Sequence, residues 1–220
     1  KCYKFTKLNK KILLNPRMDK LSPGFYDRKD VLKIARELIG KILVTHFGGH
    51  LTAGRIVETE AYRGEIDRAS HAYGARRTKR PEIIYGDPGT AYVYLCYGIH
   101  HLFNVVTNRR DIPHAILVRG VEPLQGMDTM LQRSGKKTVD STLTRAPGNV
   151  SKALGIFTQH TGWSLHSDQL FIASDGYVPS RKDIGITPRI GVDYAGDDAA
   201  LPYRFILRDN PYVSGKKTDL

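Results

Sequence analysis

The chain has 220 residues, 40% hydrophobic and 25% charged, which is enough for one folded domain with a substantial core and includes no apolar run approaching a membrane span. Its two cysteines, Cys2 and Cys96, stand in unrelated contexts without a CxxC pair, which argues against a structural zinc site, an iron–sulfur cluster or a disulfide framework and for a reducing, intracellular setting. The net charge of +12 favours a polyanionic partner.

Half of that net charge lies in residues 1–20, where seven cations face Asp19 alone. Residues 1–17 are expected to be a basic N-terminal extension, disordered or non-native, ahead of a single domain over 18–220. The extension lacks the long apolar stretch of a secretory leader. In "DRKDVLKIARELIG" the spacing of Val31, Ile34, Ala35 and Leu38 predicts a helix that Gly40 stops. "KILVTHF" and "HLTAGRIVETEAY", joined by Gly48-Gly49, read as a β-hairpin. A basic loop follows from Arg63 to about Arg80, and "YGDPGT" reads as a turn. Residues 91–108 and 113–121 read as strands, and "EPLQGMDTMLQRSG" as a helix with Pro123 near its start and Gly135 near its end. "NVSKALGI" reads as a short helix behind a Pro147-Gly148 turn, with late strands at 170–173 and 203–208. The expected fold is a single α+β domain: a curved, mostly antiparallel sheet with surrounding helices and a protruding hairpin.

Along "IVETEAY", alternation places Glu58, Glu60 and Tyr62 on one strand face. Two carboxylates there repel, which tends to raise one pKa and suits a general base; a solvated strand face carries the same pattern. In "AYVYLCYGIHHLFNVVTN", Tyr92 and Tyr94 share a face and fit a sheet core, whereas Tyr97 breaks phase next to Gly98, at a bend that would expose its ring. Exposed aromatics on a basic protein can insert between stacked bases. His100 and His101 point to opposite faces, with no carboxylate or thiol at ligand spacing, so no metal is expected. Asn104, in an apolar segment, offers an amide donor and acceptor of the kind that reads a base edge. Arg76, Arg77, Lys79 and Arg80 form a basic cluster that is either solvated or holds phosphates, and Arg109 and Arg110 repeat it. Arg119 ends the apolar run "AILV" and needs a buried anion such as Glu60. His71, nine residues past Tyr62, is a surface histidine or a wall of the same pocket.

Taken together, "RIVETEAYRG", "DRASH", "PGTAYVYLCYGIHHLFNVV", "AILVRGVEPLQG" and "RIGVDYAG…LPYRFILRDNPYVS" closely resemble the alkyladenine (3-methyladenine) DNA glycosylase family, in order and spacing from about Lys20 to Ser214. The resemblance implies a domain that binds duplex DNA through the minor groove and flips a damaged purine into a pocket. It implies hydrolysis of the N-glycosidic bond with no metal, cofactor or strand cleavage. By position, Glu60 would be the general base on the attacking water, which Arg119 and the backbone carbonyl of Ile190 help to hold. Tyr62 would stack on one face of the base, with His71 and Tyr94 against the other. Tyr97 would be the wedge that fills the duplex gap, and Asn104 would clash with a guanine 2-amino group.

The chain departs from the family at Arg80-Pro81, at Ile84-Tyr85 and at "APGN", where Asn149 stands in a usually basic slot and Lys152 is the substitute phosphate contact. A monomer located with DNA, at the nucleoid or in the nucleus, is expected. The competing reading is a non-catalytic reader of damaged or single-stranded nucleic acid. An RNA-binding accessory protein fits less well, because the tyrosines do not follow its aromatic pattern.

Overall fold

The structure, a computed structural model, describes residues 18–78 and 81–215; the expected extension 1–17 and the cations Lys79 and Arg80 lie outside them. The order is β1 (Asp19–Lys20), α1 (Pro23–Tyr26), α2 (Val31–Leu38), β2 (Ile42–Phe47), β3 (His50–Tyr62), β4 (Ala91–Cys96), β5 (His100–Thr107), β6 (His114–Gln125), α3 (Met127–Ser134), α4 (Pro147–Leu154), β7 (Leu170–Ser174), β8 (Ile184–Thr187) and β9 (Arg204–Leu207). Short 3-10 turns fill much of the connections.

Helix α2 forms where its spacing predicts. Asp30 caps it by accepting from the Lys33 N–H, and Val31, Ile34, Ala35 and Leu38 are its buried face. Gly48 and Gly49, at φ 58° and 79°, close the β2–β3 hairpin with Phe47 opposite His50. Two expectations need correction. Pro123 lies inside β6, paired with Gly54, and α3 begins only after Gly126. Pro147 is the first residue of α4 rather than part of a preceding turn, because its fixed φ suits the position where a helix needs no N–H donor. The short strand β8 escaped the sequence pattern; it is four residues long, contains Gly185 and, among the described residues, pairs only with β9.

The domain is α+β. All strand pairings among the described residues are antiparallel, in the order β1-β7-β2-β3-β6-β5-β4, with β9 added to β3 and β8 to β9. The main core joins α2, α3 and α4 to the sheet through Ile34, Leu38, Phe103, Ile116, Met130 and Leu154, all essentially inaccessible; each such side chain contributes about 1.5–3 kcal/mol. Strand β3 positions the site. Its first half pairs with β2, its last residues pair with β9, and β6 runs along its other edge. The β3–β6 register slips where Glu58 faces Gly120 and Thr59 faces Val118, which leaves Arg119 unmatched on β6. Such a bulge re-aims a side chain out of strand alternation.

Candidate active site

The bulge turns Arg119 onto both carboxylates of β3. Its Nε lies 3.1 Å from Glu58 Oε1 and 3.4 Å from Glu60 Oε1, and its Nη1 donates to Glu60 Oε2 at 3.4 Å. Glu60 is fully buried and also accepts from the Tyr62 hydroxyl and the Ile190 N–H, each at 2.8 Å. Arg119, Tyr62 and Ile190 line a cleft of about 870 Å³, so Glu60 sits directly beneath its floor. The expected face shared by Glu58, Glu60 and Tyr62 is present, as is the expected Arg119–Glu60 pair.

Repulsion does not raise the Glu58 pKa. Burial pushes that carboxyl up, but Arg119, Arg204 and the Ser214 N–H outweigh burial and hold it below its ordinary value. Arg204, fully buried, donates from Nε to Glu58 at 2.7 Å and from Nη2 to the Ser214 carbonyl at 2.6 Å, while the Ser214 N–H donates to Glu58 at 2.8 Å. Gly120 makes this clamp possible, since a Cβ there would lie 2.6 Å from the Tyr212 carbonyl oxygen. Sequence reasoning missed Arg204, although an arginine inside the apolar run "YRFIL" is the same signal that marked Arg119. It also missed Arg189. That buried guanidinium makes a two-pronged pair with Asp67 (2.6 and 2.9 Å), donates to the carbonyls of Ala61 and Asp198, and lies over the Tyr62 ring at 4.9 Å. It ties three segments of the site together.

Tyr62, His71, Tyr94 and Asn104, separated by up to 42 positions in sequence, all line one slot of about 30 Å³ that adjoins the cleft. The His71 and Tyr94 rings meet edge-on at 4.6 Å, and His71 Nδ1 is 2.7 Å from the hydroxyl of Tyr92, which is buried as expected of a core tyrosine. Burial, then the neighbouring Glu60 charge, pushes the Tyr62 phenol well above its ordinary value, so it stays a proton donor. Asn104 donates both amide hydrogens to backbone carbonyls, of Tyr92 at 3.2 Å and Leu102 at 3.1 Å. Its oxygen is the end left for a ligand, and the side chain is held in place.

The β4–β5 hairpin ends in Tyr97 and Gly98, both left-handed at φ 50° and 73°, with the Ile99 N–H closing onto the Cys96 carbonyl at 3.2 Å. Tyr97 is 90% exposed at this tip, as its Tyr-Gly bend predicts. Arg76 lines the cleft. Arg77 is held by Asp111 at 2.5 Å and lies over the Tyr85 ring at 4.1 Å, and Arg110 pairs with Asp87 at 2.7 Å. Arg109 and Lys152 are exposed. Asn149 lines the cleft but donates its amide to the Thr142 and Arg145 carbonyls, so its polar group is spent inside the fold. Among the described residues no cluster of three or more His, Cys, Asp or Glu side chains could hold a metal, and no helix is long and apolar enough to cross a membrane.

Comparison with known proteins identifies the family. The sequence profile of the methylpurine-DNA glycosylase (MPG) family matches residues 24–211. A Chlamydia abortus protein provisionally named 3-methyladenine DNA glycosylase is 45% identical over 188 residues, covering 85% of this chain and 97% of that protein. Similarly named proteins of Clostridium perfringens and Desulfitobacterium hafniense are 38% and 42% identical, each covering 90% of this chain and 100% of their own length. With its profile match spanning nearly all of the described residues, the chain belongs to the methylpurine-DNA glycosylase family.

Proposed function

We propose that the protein is a monofunctional DNA glycosylase that flips alkylated or deaminated purines out of duplex DNA and hydrolyses the N-glycosidic bond, leaving an abasic site. The observation that carries this reading is a buried carboxylate, Glu60, placed beneath a cleft by groups that line it and beside a slot walled by aromatic rings. A base in a duplex must leave the stack before its glycosidic carbon can be attacked, at roughly a few kcal/mol. Tyr97, on a two-stranded hairpin, is the proposed wedge that offsets part of this. Tyr62 on one side, with His71 and Tyr94 on the other, would stack on the extruded base, each contact worth about 1–3 kcal/mol. Asn104 would exclude the guanine 2-amino group by occupying its space, its side chain being held in place by the Tyr92 and Leu102 carbonyls.

In the chemical step a water oxygen bonds to the glycosidic carbon. The carbon–nitrogen bond breaks with its electron pair leaving on the purine, and the water proton passes to Glu60. A cationic alkylated purine departs neutral, while a neutral deaminated purine departs as an anion that takes its proton from solvent water; in both the demand falls on water placement and on stabilising the positive sugar, which a carboxylate serves. Arg119, which donates to Glu60, and the backbone carbonyl of Ile190, whose N–H donates to Glu60, both from residues that line the cleft, are the proposed positioners of that water. Arg76, Arg109 and Lys152 are proposed phosphate contacts.

One observation favours a non-catalytic reader instead: Glu60 is fully buried and both its oxygens are already bonded, as in a structural carboxylate. The deciding experiment incubates the protein with duplexes that each hold one hypoxanthine or 3-methyladenine, without metal. Free purine and alkali-labile sites in an otherwise intact strand support the glycosylase; tight binding without base release supports the reader.

A further inference from the structure

Tyr194 belongs to no element of the chemistry above, yet it lines both the cleft and the base slot. The other described residues of the slot are buried or half-buried, whereas Tyr194 is 72% exposed. It therefore marks the mouth, while Ile84, Tyr92, Asn104 and Ala115, each at most 4% exposed, mark the closed end. Its phenol O–H donates to the Ala69 carbonyl at 3.1 Å, spanning from the 193–200 turn to the loop that carries His71. The bases of both segments are fixed: Arg189 bonds Asp67 and the Asp198 carbonyl, and the Arg68 N–H donates to Asp198 at 2.8 Å. A tied frame thus carries an exposed ring whose hydroxyl makes, among the described residues, one hydrogen bond across the opening. The slot behind it is about 30 Å³ and shares Tyr62, His71 and Tyr94 with the much larger cleft.

We propose that Tyr194 is the gate of the base slot and a determinant of which purine substituents are admitted. To let a base in, the ring swings off Ala69. Once the base is seated, the ring closes against the edge that faces the mouth, so a purine enlarged on that edge meets the phenol. Selection then acts at both ends of the slot, by Asn104 at the floor and by Tyr194 at the mouth. This inference rests on the glycosylase reading and adds a specificity element to it.

The test compares wild type, Tyr194→Phe and Tyr194→Ala by single-turnover excision from matched duplexes holding hypoxanthine or the larger ethenoadenine. Ethenoadenine fluorescence reports unstacking independently of hydrolysis. Phe keeps the ring and loses the tether, so ethenoadenine should unstack severalfold faster while the ratio of the two excision rates stays within twofold of wild type. Ala removes the ring, and the ratio should shift toward ethenoadenine by tenfold or more. A parallel fall for both lesions in both variants, or no change in either, overturns the gate. If wild type releases neither base but its ethenoadenine unstacking still follows the Tyr194 substitutions, the gate stands and the hydrolytic reading fails. If it releases neither base and does not unstack ethenoadenine, both fail.

Discussion

Asn104 and Glu58 show how a buried polar side chain acquires a role from its partners. With both amide hydrogens committed to the Tyr92 and Leu102 carbonyls, Asn104 can discriminate by space and rigidity. Asn104→Ser shortens the side chain, and release of 7-methylguanine or normal guanine should rise about tenfold relative to hypoxanthine, the scale of a small steric change in a binding pocket; an unchanged profile of released bases rejects the filter. Glu58 is bonded to Arg119, Arg204 and the Ser214 N–H, and its folded pKa lies below the ordinary 4.5. A depressed carboxyl contributes stability that is complete above the unfolded value and is lost as pH falls through the folded one. Glu58→Gln should therefore flatten the loss of stability below pH 4.5, and cost about 3–5 kcal/mol at neutral pH by stranding buried guanidinium groups. Urea unfolding of both proteins across the acid range measures this; parallel curves would contradict the assigned cause.

At the level of elements, the decisive features are a bulge and a turn. Strand alternation made Glu58, Glu60 and Tyr62 legible as one face, and the isolated arginine in "AILVRGV" made Arg119 legible as their counter-ion. What could not be read was the register slip that leaves Arg119 unmatched and aims it at both carboxylates. A one-residue slip depends on the pairing of two distant segments and leaves no mark on either. Helix α2 was legible because four apolar residues at helical spacing outweigh everything nearby, whereas the start of α3 was misplaced because Pro123, which often opens a helix, here ends up in an outer part of β6. The Tyr97-Gly98 turn was legible from its composition, and its left-handed backbone explains why the ring stands out of the sheet. Tyr97→Ala should weaken capture of a lesion in duplex DNA by roughly tenfold or more, the scale of a few kcal/mol of unstacking. Excision from single strands, where no stack must be opened, should stay within about twofold. Equal losses on both substrates would assign Tyr97 a role in the chemistry or the fold instead.

For the molecule as a whole, the site is where β3, β6, the hairpin, the His71 loop and the C-terminal segment converge, with Arg189 and Arg204 as ties between them. Arg189 went unread because it stands in no apolar run and its partner Asp67 is 122 positions away; Arg204 carried the apolar-run signal, but its partner Glu58, 146 positions away, could not be read from it. The net charge of +12 was informative about the kind of partner but not about which cations meet it; Arg77 and Arg110 turn out to be paired internally. Arg109→Ala and Lys152→Ala should each weaken DNA binding alike on all sequences and reduce the slope of log affinity against log salt by about 1; unchanged slopes would remove them from the phosphate interface. The central claim is that the carboxylate beneath the cleft performs hydrolysis on a base held beside it. Its most direct test is single-turnover excision from a hypoxanthine-containing duplex, free of metal, by wild type and Glu60→Gln, with lesion binding measured on the same duplex. The account predicts that Glu60→Gln binds nearly as tightly while base release falls by at least ~10²-fold, the scale of a lost general base. Full turnover by Glu60→Gln, or equal binding with no release by either protein, would contradict it.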